Sequence, residues 1–177
     1  MCGIVAYIGY KEAYPILITG LKRLEYRGYD SAGIALINNH QIQVYKTKGR
    51  VHDLEEKLRD SDTHASIGMG HTRWATHGEP SDKNAHPHTS MHGKFSLVHN
   101  GIIENYAHLK EKLARRGYSF KSETDSEVLV NLIEYIYMKG GIDAETAVRL
   151  ALGKVVGAYG LVIMCTDEQD KLITTRK

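Results

Sequence analysis

The sequence predicts a mixed α/β fold rich in antiparallel sheet, with helices packed on the sheet faces. Three observations carry this reading. Apolar runs of strand length alternate with amphipathic stretches along the 177 residues. The last two runs are joined only by the polar turn DEQD (167–170), too short for a crossover to a parallel neighbour. No Pro-, Ser- or Gly-rich linker and no internal repeat interrupts the chain, and its length suits one domain with a real core.

Each element follows from its pattern. GIVAYIG (3–9) reads as a strand. EAYPILITGLKRLEYRG (12–28) places Leu17, Leu21 and Leu24 at i, i+4 and i+7, so it reads as an amphipathic helix. Pro15 suits its first turn and Gly28 its stop. AGIALI and IQVYK flank NNHQ, with Asn38 and Asn39 suited to the positive φ of a tight hairpin. VHDLEEKLRD (51–60) is a short helix, and SIGMGHT and FSLVH are further strands around a loop containing HGEPSDKNAHPH. ENYAHLKEKLARRG sets Tyr106, Leu109 and Leu113 on one helical face and ends at Gly117. A second helix starts at Thr124 with Glu127 three residues on, a capping box. Asp143 caps a third, and AYGLVIMCT and KLITTR close the sequence as antiparallel strands.

Composition narrows the function classes. Hydrophobic residues make up 42% and charged residues 25%, and the net charge is +2. The densest basic run, KEKLARR (110–116), reads as a solvated helix face, so no nucleic-acid partner is expected. No apolar stretch approaches the roughly 18 residues of a spanning helix, and the N-terminus lacks the shape of a signal peptide. Cys2 and Cys165 make no disulfide framework. A cytoplasmic protein without a membrane contact is the expectation, with Cys165 a buried strand residue.

Four stretches carry possible chemistry. The opening MCGIV puts a thiol one residue behind the initiator. Cys2 reads as a small hydrophobe or, once Met1 is removed, as a residue holding thiol and α-amine together. A free thiol titrates at about 8.5 and an α-amine near 7.7–8.0, so proton transfer between them is uphill by only about 1 kcal/mol. Such a residue is nucleophile and base at once and needs neither histidine nor metal. GHTRWATHGEP (70–80) sets Arg73 beside Trp74, the one tryptophan, with Thr76 and His77 following. Arginine's fork matches a carboxylate, though a surface ion pair fits equally. LVHNGII (97–103) reads as a strand stopping at Asn100-Gly101, either a plain turn or two oxyanion donors. SETDSE (122–127) gathers acids at a helix start, where the macrodipole favours them; Asp125 could instead meet a substrate ammonium. Seven of the ten histidines lie between His64 and His99, and His86-Pro87-His88 looks like half of a zinc cluster, but no H-E-x-x-H pattern accompanies it.

Together with LEYRGYDSAG (24–33), NAHPH (84–88) and VHNGIIEN (98–105), these stretches closely resemble the glutamine-hydrolysing domain of the N-terminal-nucleophile (type 2) amidotransferases. Within that superfamily they resemble the glutamine–fructose-6-phosphate aminotransferase (glucosamine-6-phosphate synthase) family over the whole chain. The resemblance implies a four-layer α/β/β/α sandwich of antiparallel sheets and hydrolysis of L-glutamine to glutamate and ammonia. It implies Cys2 as nucleophile, Asn100 and Gly101 as oxyanion hole, Arg73 on the substrate carboxylate and Asp125 on its ammonium. Trp74, Thr76 and His77 would belong to the loop that closes over glutamine, Arg27 would orient the N-terminal amine, and His86 and His99 would support the site loops. No cofactor and no metal is implied. The family's full protein continues into an isomerase half that acts on fructose 6-phosphate and carries most dimer contacts, so residues 1–177 correspond to a C-terminally truncated glutaminase domain of a homo-oligomer. The amidophosphoribosyltransferases usually carry Gln at the position of Tyr29 and Tyr-Ser at Trp74-Ala75, so these residues favour the aminotransferase branch. A non-catalytic glutamine-binding module is the alternative from another class.

Overall fold

A computed structural model describes residues 2–74 and 79–177. Among these described residues, eight strands form two antiparallel sheets. The first has the order β1-β4-β2-β3, from β1 (Gly3–Ile8), β2 (Ser31–Asn38), β3 (Gln41–Lys48) and β4 (Ile67–Arg73). The second has the order β5-β6-β7-β8, from β5 (His88–Thr89), β6 (Phe95–Ile103), β7 (Gly157–Cys165) and β8 (Ile173–Arg176). Helices α1 (Ala13–Leu24) and α2 (Val51–Leu58) pack on the first sheet; α3 (Tyr106–Ala114), α4 (Asp125–Tyr137) and α5 (Ala144–Leu152) belong to the second.

Three apolar clusters define the layers. One joins α1 and α2 to their sheet through Leu17, Leu21, Ile34, Leu36 and Leu54. Another joins the other helices to the second sheet through Phe95, Leu97, Leu129, Ile133 and Leu161. Between the sheets lie Ala35, Ile37, Ile67, Met69, Val98, Val162 and Met164. Three apolar seams make four layers, the sandwich that the family resemblance implies.

Alternation along the strands decides what faces the seam between the sheets. On β4, Ile67 and Met69 face it, and His71 and Arg73 continue the same face toward the strand's end. The intervening Gly68 and Gly70 let α1 come close, since a Cβ there would lie within 3.0 Å of Leu17 or Leu21. On β6, Val98 and Asn100 face the seam, while Phe95, Leu97 and His99 face α4. Both sheets are thus apolar at one end of the seam and polar at the other.

Three expectations need correction. The hairpin between β2 and β3 takes positive φ at Asn39 and His40, one residue later than expected, because β2 runs on through Asn38 to pair with Gln41. Asn100-Gly101 is not a turn. β6 continues through it to Ile103, paired with β7 from Cys165 to Gly157. Gly101 holds φ 134°, and a Cβ would come within 2.1 Å of the Ala158 carbonyl oxygen, so only glycine fits. The capping box at α4 is half formed: Thr124 accepts from the Glu127 N–H, but the Glu127 carboxylate turns back to the N–H groups of Lys121 and Ser122.

Candidate active site

Cys2 directly precedes edge strand β1, whose Gly3 pairs with Thr72 of β4. That register sets Cys2 beside the end of β4, where the Trp74 N–H donates to its Sγ at 3.2 Å and the Trp74 carbonyl lies 3.6 Å from the same sulfur. Cys2 lines a cavity of about 260 Å³ together with Arg73, Trp74, Gly101, Asp125 and Ser126, with His86 and His99 in its wall. Asn100 adjoins it, its Nδ2 donating to the Cys2 carbonyl oxygen at 3.4 Å. Residues distant in sequence meet here because the polar ends of both sheets and the N-terminus of α4 converge.

Arg73 ends β4 with a side chain only 5% exposed, and Asp30 lies 3.9 Å from its guanidinium, partly compensating a buried charge. Asp30 is itself fixed: its N–H donates to the Arg73 carbonyl and its Oδ1 accepts from the Ser31 hydroxyl. Asp125 opens α4, in the favourable field of the helix N-terminus. Its Oδ2 accepts from the Ile103 N–H at 2.7 Å, which ties the helix start to β6. Its Oδ1 lies 3.3 Å from the Ser126 hydroxyl and 3.9 Å from His99 Nδ1.

Four histidines, His71, His86, His88 and His99, cluster beside this cavity. The rings of His71 and His86 are 4.4 Å apart and those of His86 and His88 4.7 Å. The Ser126 hydroxyl bridges His86 Nε2 at 2.8 Å and His99 Nδ1 at 2.9 Å, and Thr124 Oγ1 meets His88 Nε2 at 3.0 Å. Burial is the leading reason that all four hold protons weakly. It drives His71 down to about 4 and His86 and His88 well below the usual imidazole range, neighbouring cations adding to the effect. His99 is lowered too, against the opposing pull of Asp125. The cluster is therefore neutral at pH 7, and among the described residues no group of His, Cys, Asp and Glu is arranged to hold a metal ion.

Residues 53–176 match a family model described as a glutamine amidotransferase domain. The chain belongs to this family. Over its whole length the amidotransferase chain is 60% identical to the glutamine–fructose-6-phosphate aminotransferase (isomerizing) of Bacteroides thetaiotaomicron and 58% to that of Clostridium tetani. It spans 29% of the length of each. Among solved structures it matches the glutamine phosphoribosylpyrophosphate amidotransferase of B. subtilis with a TM-score of 0.82 and 26% identity, covering 100% of this chain and 37% of that one. The fold is shared with that amidotransferase, while sequence identity is about twice as high with the aminotransferases.

Of the residues singled out in the sequence, Cys2, Arg73, Trp74, His86, His99, Gly101 and Asp125 line one cavity, with Asn100 at its edge. Trp74 is 54% exposed, its ring lying over Gly28, whose φ of 72° and lack of a side chain admit it. Arg27 sits in the 3-10 turn of residues 25–27, its Nε donating to the Tyr26 hydroxyl at 3.3 Å, and is not among the lining residues. Thr76 and His77 lie outside the described residues. Sequence reasoning missed Asp30, His71 and Ser126. All three stand inside quoted motifs, and for His71 strand alternation was the available signal: it sends His71 and Asn100 to facing sides of the same seam.

Proposed function

We propose that this chain hydrolyses L-glutamine to glutamate and ammonia with the Cys2 thiol as nucleophile, after removal of Met1. One observation carries the reading: Cys2 shares a cavity with a buried arginine, the aspartate that opens α4 and the Asn100-Gly101 segment. At about 260 Å³ the cavity is smaller than the roughly 300–1,000 Å³ typical of drug-sized ligands, and it suits a single amino acid.

In this mechanism Arg73 binds the substrate α-carboxylate and Asp125 the α-ammonium, which aims the side-chain amide at Sγ. The α-amine of Cys2 takes the thiol proton, and sulfur bonds to the amide carbon. The carbonyl electron pair moves onto oxygen, where the Asn100 amide and the Gly101 N–H stabilise it. Collapse breaks the C–N bond, and the proton held on the α-amine leaves with ammonia. Water then attacks the γ-glutamyl thioester, its proton passing to the same amine, and the bond to sulfur breaks to release glutamate and the thiol.

The reading extends to a protein of the aminotransferases' length, in which the ammonia converts fructose 6-phosphate to glucosamine 6-phosphate in a separate domain. A nucleophilic Cys2 needs its thiol reduced, which fits the cytoplasm. The test is covalent trapping by a glutamine analogue with a chloroketone in place of the amide, from which Sγ displaces chloride. Modification of the N-terminal peptide, blocked by excess L-glutamine and dependent on loss of Met1, is expected. Labelling of Cys165, or labelling indifferent to glutamine, would overturn it.

A further inference from the structure

We infer that His71 is a positioning residue: its Nε2–H holds the Asn100 Oδ1 and so turns the Asn100 amide nitrogen toward Cys2. The inference rests on the proposed role of Asn100 as an oxyanion donor.

The geometry leaves one proton arrangement. His71 Nε2 lies 3.1 Å from the His99 carbonyl oxygen and 2.8 Å from the Asn100 side chain. A main-chain carbonyl only accepts, so Nε2 must carry the proton. The Asn100 atom facing that proton must then be the oxygen, and the amide nitrogen faces the other way, toward the Cys2 carbonyl at 3.4 Å. An amide has two near-isosteric orientations, and here a fixed carbonyl decides between them through the imidazole. The reversed amide would aim oxygen at the developing oxyanion, exchanging attraction for repulsion. His71 is suited to the task because it is buried on β4, with its ring stacked on His86. Burial keeps it neutral, so the ring has one N–H, and among the described residues Nδ1 has no hydrogen-bond partner.

The experiment is steady-state glutamine hydrolysis by His71→Leu, His71→Gln, Asn100→Ala and the His71→Leu/Asn100→Ala double variant. Removing the Nε2 donor is expected to lower kcat about 10- to 100-fold with KM changed by less than about threefold, as for an interaction made in the transition state. Gln, whose amide places two N–H groups near the former Nε2, restores most of the rate. In the Asn100→Ala background the His71→Leu change costs less than about threefold, because the amide it orients is gone. Equal losses in both backgrounds, or unchanged kcat in His71→Leu, would overturn the inference. If Asn100→Ala itself leaves kcat unchanged, the oxyanion role fails, and that outcome is separate. Long-range 1H–15N correlation on the unsubstituted protein needs no variant to fold: the Nε2–H tautomer of His71 is expected, and the Nδ1–H tautomer would contradict the arrangement.

Discussion

Asn100 and Gly101 are neighbours in β6, where Gly101 takes φ 134°, and each fails differently when altered. Asn100→Ala removes a donor and leaves the buried His71 Nε2–H with the His99 carbonyl at 3.1 Å as its partner, so a kcat loss of about 10²–10³ with folding preserved is expected, read from kinetics beside circular dichroism. Gly101→Ala forces a Cβ at φ 134° to within 2.1 Å of the Ala158 carbonyl oxygen, so it should unfold or strongly destabilise the domain. A folded, active Gly101→Ala protein would contradict the observed backbone. Cys2, Arg73, Asn100 and Asp125 were named from their motifs, each beside a plainer reading that only the family resemblance set aside. His71, Asp30 and Ser126 were not, since each acts through a partner that only the fold supplies. His71 finds Asn100 across two sheets, and Ser126 finds His86 and His99 from the start of a helix.

At the scale of elements, α4 shows what periodicity reads and what it omits. Its start at Thr124 and its apolar faces follow from the sequence, as does the Asp143 cap of α5, which accepts from the Thr146 N–H at 2.9 Å. The reach of its carboxylates does not. Glu134 is fully buried and accepts from the Ser90 hydroxyl and from the His92 and Lys94 N–H groups, pinning the loop between β5 and β6. Glu134→Ala strands those donors and should cost about 3 kcal/mol in urea unfolding. A loss below about 1 kcal/mol would mean that water replaces the carboxylate, contrary to a sealed site. The Asn-Gly turn expected within β6 failed for a related reason: β7 offers a continuous partner, and sheet pairing outweighs a local turn preference.

For the whole molecule, the four-histidine cluster ties stability to pH. These groups hold protons less tightly folded than unfolded, so the unfolded chain takes up more protons once pH falls below about 6.5. Their stabilising contribution is complete above that value and is lost as pH descends toward the folded value, about 4 for His71. For His71 alone the loss is on the order of 3 kcal/mol. Unfolding free energy should therefore decline measurably between pH 6.5 and 5, before carboxylates of ordinary pKa protonate. A flat profile down to pH 5 would contradict neutral burial of the cluster. The mixed α/β class was readable from alternating apolar runs, but the convergence of Cys2, Arg73, His99 and Asp125 on one cavity depends on registers that no single strand records.

The most direct measurement is glutamate release from L-glutamine by the protein and its Cys2→Ala variant, with intact mass recorded on the same samples. The account expects release from protein lacking Met1, none from protein retaining it, and none from the variant. Release that survives in Cys2→Ala, or that proceeds with Met1 still attached, would contradict an N-terminal cysteine as the nucleophile.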